Sequence, residues 1–278
     1  METGFLQTGF RREQRPGELQ AGFIRVAREI QHFYPLPLAG EHFREVTARI
    51  VSHCSSKPFV YCPMSVLVRV YFDYVCPFCY LAEFPLRQAA AGKPIEIAWM
   101  PYELRPEPEP PLRPEGEYLR LLWHQSVFPL AAQLGVPIRF PQISPQPHTR
   151  LAMEGDHFAK EHGKADDYHQ CVMQAYFQDE KNIGDIGVLG NIADKIGLPA
   201  GEFTQALREG RFRSAHQRAL RHAYYVMGIT SVPTLVVGHQ RLSGLQSVER
   251  LEHVFRQALE EDSLRPIASR EALDSSSQ

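Results

Sequence analysis

Apolar and polar positions fall into a regular order only from Ser65 onward. Val66-Leu67-Val68-Arg69-Val70-Tyr71-Phe72 is a short run of β-branched and aromatic residues, the pattern of a strand ending at Phe72. Helical spacing follows from Pro77 to about Ala91 and stops at Gly92 and Pro94; strand character returns from Ile95 to Met100. Strand, helix and strand with such short connections predict a βαβ unit, its two strands parallel in one sheet and its helix starting at the C-terminal edge of the first. The proline-rich segment Glu103 to Pro111 fits neither sheet nor helix and predicts an extended connector that leaves the sheet. Six helical patterns come next, at about 116–134, 148–162, 166–178, 185–196, 201–208 and 213–227, with Gly135, Gly163 and Gly197-Leu198-Pro199 as readable stops. Thr234 to Val237, a turn at Gly238-His239, and Arg241 to Gly244 predict an antiparallel hairpin. Val248, Leu251, Val254, Phe255 and Leu259 lie at core spacing on a last helix, and the polar tail from 263 reads as disordered.

This pattern predicts an α/β fold whose two halves, 64–104 and 213–262, flank a helical insertion at 105–212. Residues 1–63 mix Arg, Gln, Gly and Pro and carry only two weak helical stretches, around 23–27 and 42–51, so they read as an extension outside the fold. Glutamates interspersed there argue against a transit peptide, and Met64 marks where the folded unit is expected to begin. With 278 residues, 44% of them hydrophobic, the chain can bury a substantial core. A net charge of -2 and a pI near 6.6 give no general attraction to nucleic acid or an anionic membrane, and neither is expected as a partner. There is no long apolar run and no basic-then-apolar leader, which makes the cytoplasm the expected compartment.

Five cysteines are too few, and odd in number, for a disulfide scaffold. Two of them, Cys76 and Cys79, stand at the junction between the first strand and the first helix. There, unpaired backbone N–H groups and the positive end of the helix dipole favour a thiolate. Pro77 suits the first helical position, because the donor it lacks has no helical partner there anyway. Two sulfurs so spaced can cycle between dithiol and disulfide. The competing readings are a zinc site, for which Cys54 and Cys62 would have to complete the ligands at an unusual spacing, and a pair of inert buried thiols. A distant element favours redox chemistry. Ile229-Thr230-Ser231-Val232-Pro233-Thr234 sets a proline at the head of a strand, where a cis bond would expose the backbone of Ser231 and Val232 to an extended substrate; an ordinary trans proline is the alternative.

With these pieces in order the chain resembles the DsbA-like thioredoxin superfamily, and within it the FrnE-type branch, neighbour to 2-hydroxychromene-2-carboxylate isomerases and kappa-class glutathione transferases. The matching text is Phe72-Asp73-Tyr74-Val75-Cys76-Pro77-Phe78-Cys79-Tyr80 and Pro101-Tyr102-Glu103-Leu104-Arg105-Pro106. To these add Ala175-Tyr176-Phe177, Asn182-Ile183 and Gly228 to Thr234, and the resemblance runs from about Ser65 to Leu259. It implies a thioredoxin-like fold, βαβ then ββα, in which Cys76 attacks and forms the mixed disulfide and Cys79 resolves it. Pro77, Phe78, Ser231, Val232, Pro233 and His148 are then the expected substrate-binding residues. Phe78 stands where strongly oxidising relatives carry histidine, which implies a milder couple, and cysteine at 76, where the isomerase and transferase relatives carry serine, shifts the expectation toward dithiol exchange.

The resemblance implies no bound cofactor and no metal. Its partners would be thiol- or disulfide-containing peptides, proteins or small molecules, with a homodimer left open. The second reading is a glutathione-dependent isomerase or transferase acting on small aromatic compounds, with glutathione as co-substrate; the third is a binding module with idle thiols. Asp73 reads either as a proton relay to the resolving thiol or as a capping or solvated carboxylate. Cys76 is expected to be the more exposed thiol; Tyr74, Phe78 and Tyr80 to ring the motif as an apolar contact face, with core packing an equal reading for Tyr80; Trp99 and Met100 to be core; and Cys171 to be a buried small residue. Cys54 and Cys62 could form an auxiliary redox pair.

Overall fold

The first strand, β1 (Val66–Phe72), is the hub of the molecule. In a computed structural model of the protein, which describes residues 65–264, it lies inside a four-stranded sheet of order β2-β1-β3-β4. It runs parallel to β2 (Ile95–Pro101), from Val66 opposite Ile95 to Phe72 opposite Pro101. It runs antiparallel to β3 (Thr234–Val237), which turns back as β4 (Gln240–Ser243). β1 is apolar except for the half-buried Arg69, and it sorts its side chains by strand alternation. Val66, Val68, Val70 and Phe72 enter the main core, whereas Tyr71 faces a second cluster with Ala223, Ile229 and Val236.

Helix α1 (Pro77–Ala90) crosses from β1 to β2, and the closing helix α9 (Val248–Leu264) packs beside it with Leu251, Val254 and Phe255 buried. The rest forms a helical layer: α2 (Glu117–Leu122), α3 (Phe128–Leu134), α4 (Arg150–Glu161), α5 (Ala165–Phe177), α6 (Ile186–Lys195), α7 (Ala200–Glu209) and α8 (Arg213–Arg221). The expected helix at 116–134 is one rod with a π-helical turn at Trp123–Val127, between α2 and α3. Pro129 stands just beyond that turn, and because it has no N–H for the carbonyl four residues back, the regular ladder cannot continue through it. A second π-helical turn, His222–Val226, extends α8 and ends with Met227 N–H on the His222 carbonyl.

Polar contacts, one of them fully buried, bind the helical layer to the sheet half. Trp99 on β2 stacks on His169 of α5 with ring centroids 3.7 Å apart, and His169 Nε2 pairs with Glu83 of α1 at 2.8 Å. Arg87 of α1 forks onto Asp166 at 2.8 and 2.9 Å, and the Trp99 indole N–H donates to the same carboxylate. Trp99 is therefore core, as the pattern predicts, whereas Met100 is only half buried. No helix among the described residues is long and apolar enough to cross a membrane. The helices expected near 23–27 and 42–51, the extension to residue 63 and the tail beyond 264 lie outside the described residues; α9 itself continues to Leu264, past the expected boundary.

Candidate functional site

β1 delivers the chain to a tight turn, in which Cys76 N–H bonds the Asp73 carbonyl at 3.1 Å and α1 begins. Cys76 is the N-cap, with extended backbone at φ -86° and ψ 109°, and Pro77 is the first helical residue. The Cys76 carbonyl accepts from the N–H groups of Cys79 and Tyr80, 3.1 and 3.2 Å away, so the helix is nucleated on the first cysteine and the second lies one turn inward. Both thiols are free.

Across from them is the loop before β3. Its Val232–Pro233 bond is cis, and the Val232 carbonyl accepts from the Cys76 thiol at 3.7 Å, joining residues that are 156 apart in the chain. Pro233 itself is buried and its carbonyl accepts from Gly244 N–H at 2.7 Å; Ser231 is exposed, and its carbonyl takes the Thr234 hydroxyl at 2.7 Å. Of this trio only Val232 reaches the cleft wall.

The cleft encloses about 230 Å³. Val75, Cys76, Pro77 and Phe78 line it together with Asp73, Leu104 and Arg105 and with Tyr118, Leu119 and Leu122 of α2. The volume is below the roughly 300–1,000 Å³ usual for a pocket that swallows a whole small molecule, so it takes a side chain or a ring while the remainder of a substrate stays outside. His148 lines the same cleft, held by a hydrogen bond between Nδ1 and the Arg105 carbonyl at 3.1 Å. Leu104 and Tyr118 leave the rim apolar, at 45% and 63% exposure.

Several expectations need correction. Cys76 is the thiol that lines the cleft, as expected, but its margin is slight: it is 4% exposed against 3% for Cys79, with the Val232 carbonyl against its sulfur. Tyr74 does not ring the motif as a contact surface; it is fully buried and meets Phe72 edge-on at 4.9 Å. Tyr80 follows its core reading, stacked on Phe177, and of the three aromatics the half-buried Phe78 faces the cleft. Cys171 is half buried at the core's edge rather than fully enclosed. Cys54 and Cys62 lie outside the described residues, and among the described residues no His, Cys, Asp or Glu side chains cluster as metal ligands would.

The electrostatics separate the two thiols. Burial pushes Cys79 well above the ordinary thiol range, and its hydrogen bond with Cys76 adds to the effect, so Cys79 is held protonated. Asp73, 1% exposed, is neither a cap nor solvated. Burial raises its carboxyl to about 6, opposed chiefly by the Leu104 N–H, which donates to Oδ2 at 2.7 Å. Its charge is felt at Cys79. A group of this affinity beside a reluctant thiol can take that thiol's proton near neutral pH. Glu103, Leu104 and Gln146 are the parts of the site that the sequence left without a role. Glu103 and Leu104 fall inside the Pro101 to Pro106 stretch, but their contacts are with residues far along the chain.

The chain matches the DSBA-like thioredoxin domain over residues 67–256. It is 42% identical over 200 residues to the uncharacterized protein YwbO of Bacillus subtilis (strain 168), covering 72% of this chain and 98% of that one. In structure it is similar to the probable DsbA oxidoreductase SCO1869 from Streptomyces coelicolor, with a TM-score of 0.61 and 22% identity over 73% of this chain and 92% of the other. It is also similar to a 2-hydroxychromene-2-carboxylate isomerase, with a TM-score of 0.58 and 19% identity over 72% of this chain and 100% of the other. At those identities the two structures speak for the fold, and the domain match together with the Bacillus relative speaks for descent: the chain belongs to the DsbA-like thioredoxin family.

Proposed function

We propose that the protein is a thiol–disulfide oxidoreductase working through Cys76 and Cys79. The observation that carries this reading is Cys79 itself: a buried thiol one turn behind Cys76, hydrogen-bonded to it and within the field of a carboxylate suited to take its proton. An enzyme that only oriented glutathione at position 76 would have no use for it.

In the reductive direction Cys76, having released its proton to solvent, attacks a substrate disulfide as the thiolate, forming a mixed disulfide and expelling one substrate thiolate. Cys79 then passes its proton to Asp73 and attacks the Cys76 sulfur, and the second substrate thiolate leaves. The protein has lost two electrons to the substrate and now holds the Cys76–Cys79 disulfide; the oxidative direction is the reverse. During the exchange the Val232 carbonyl offers an acceptor to an extended chain beside Cys76, and Pro77, Phe78 and His148 bound the space for the group next to the sulfur. This reading puts the exchange in the cytoplasm, with a peptide, protein or small molecule as the thiol or disulfide partner.

A second reading, a glutathione-dependent isomerase or transferase, is favoured by one feature: Arg105 and His148 line a cleft of mainly apolar residues, where they offer a cation and a ring nitrogen to a small aromatic acid or a glutathione carboxylate. Insulin reduction and reactivation of reduced ribonuclease by wild type, Cys76→Ser and Cys79→Ser separate the two. Loss in both variants is the expected result, loss only at Cys76 supports glutathione chemistry, and inactivity of all three would indicate a binding module.

A further inference from the structure

The Leu104 N–H that holds Asp73 belongs to a peptide gripped by the helical layer. Glu103, the preceding residue, is 4% exposed just beyond β2. Its carboxylate is hydrogen-bonded by Nε2 of His216 on α8, itself fully buried. Its carbonyl accepts the Tyr224 hydroxyl at 2.7 Å, and its own N–H donates to that hydroxyl oxygen at 3.3 Å. Three bonds thus fix residue 103 from α8 and the π-helical turn after it, and the next amide along the chain is the one on Asp73 Oδ2. The Leu104 side chain, nearly half exposed, contributes little to this fixation.

We propose that Glu103 and His216 form a positioning pair which fixes the Leu104 amide on the Asp73 carboxylate and so sets how readily Asp73 takes the proton of Cys79. This rests on the dithiol reading above. Neither residue touches the reacting sulfurs; both act through Asp73.

The two members act with opposite sign. His216 anchors Glu103 and, through it, the amide that favours the Asp73 carboxylate. The charge of Glu103 itself opposes that carboxylate. Other titratable groups bearing on Asp73 are Cys79 of α1, Tyr102 beyond β2, Tyr176 of α5 and Tyr224 of the π-helical turn, and Cys76, Arg105 and His148 line the same cleft. His216 meets, besides Glu103, His157 of α4, whose ring centroid is 6.2 Å away. None of these is altered by substitution at 103 or 216, so a change in the behaviour of Asp73 is traced to the pair.

The test uses the reduced full chain with Cys54, Cys62 and Cys171 replaced by serine and an aromatic disulfide, 5,5′-dithiobis(2-nitrobenzoate), as substrate. Attack by Cys76 releases one coloured thiolate; attack by Cys79 on the mixed disulfide releases the second, and the rate of this second phase is followed from about pH 4.5 to 8.5, spanning the titration of Asp73. His216→Ala should move the pH midpoint of the second phase up by about one pH unit, which is about tenfold slower release below the midpoint. Glu103→Gln, which keeps the acceptor for His216 and removes the charge, should move it down. His216→Gln, which restores a donor to Glu103, should return it toward wild type. Coincident midpoints in all four proteins, or displacement of His216→Ala and Glu103→Gln in the same direction, would overturn the pairing. Should His216→Ala fail to fold, Glu103→Gln and His216→Gln decide by the same criterion. A wild type that releases only one thiolate overturns the dithiol reading, and the pairing with it, which is a different result from two phases with coincident midpoints.

Discussion

Replacing Asp73 by asparagine should slow the thiol exchange and stabilise the protein, with the stabilisation developing over a defined pH range and persisting above it. Asp73 is buried, and its carboxyl rises from 3.8 to about 6 on folding. A group raised in this way contributes stability that is fully present below the unfolded value and is lost as pH climbs through the folded one. The native protein therefore loses stability between about pH 4 and pH 6. A rise of this size corresponds to about 3 kcal/mol at roughly 1.36 kcal/mol per pH unit. The asparagine side chain of the Asp73→Asn variant cannot ionise, still accepts from Leu104 N–H, and points its amide where Oδ1, buried without a hydrogen-bond partner, now sits. That unmatched donor costs about 1–3 kcal/mol, close to what the protonated acid also bears. Urea denaturation of the two reduced proteins at intervals from about pH 4 to 8 should thus give similar stabilities at the acid end, with Asp73→Asn gaining up to about 3 kcal/mol by about pH 7. The same substitution should slow the Cys79-dependent second release by about 10²-fold, because the thiol has lost its proton acceptor. A stability difference that stays constant across this range would refute the reasoning, since every other titrating group is common to both proteins.

Other substitutions address separate parts of the molecule. Phe78→His places a cationic group between the two cysteines and should make the couple more oxidising, by roughly 30 mV for each 1.4 kcal/mol of thiolate stabilisation; equilibration with a glutathione buffer measures this, and an unchanged or more reducing potential contradicts it. Burial pushes the Asp166 carboxyl up, but Arg87 and the Trp99 indole more than offset it and leave it at about 2. A lowered group contributes stability above its unfolded value that is lost as pH falls through the folded one. Asp166→Asn should accordingly cost about 1 kcal/mol near neutral pH, after allowance for solvent screening of a half-exposed carboxylate, and in urea titrations the cost should shrink between about pH 4 and 2. A Cβ at Gly155 would overlap Tyr168 Oη and lie 2.8 Å from Phe203 Cζ, so Gly155→Ala should destabilise by about 2–3 kcal/mol. Tyr168→Phe should recover part of that loss, because the hydroxyl it removes is buried without a partner; a double variant no better than Gly155→Ala in urea denaturation would show that the clash lies elsewhere.

Much of the site's skeleton is legible in the chain. Strand patterns ending at Phe72 and resuming at Thr234, helical spacing from Pro77, and proline at 233 place both halves of the candidate site within a residue or two of where they stand. Local sterics produce these signals: side chains alternate along a strand, recur every three or four residues on a helix, and proline lacks a donor. The π-helical turn at Trp123–Val127 is the instructive failure, because helical periodicity continues on both sides of it and a single extra residue per turn barely disturbs the pattern.

What the chain by itself determined is the order of elements and the place of the two cysteines at a helix start, both properties of neighbouring residues. The accessibility of Cys76, the protonation of Cys79 and the character of Asp73 were decided only in three dimensions. Desolvation and charge depend on what surrounds a group in space, and here the surroundings come from residue 232 across 156 positions, from Leu104 across 31, and, for the Glu103 that opposes Asp73, from His216 across 113.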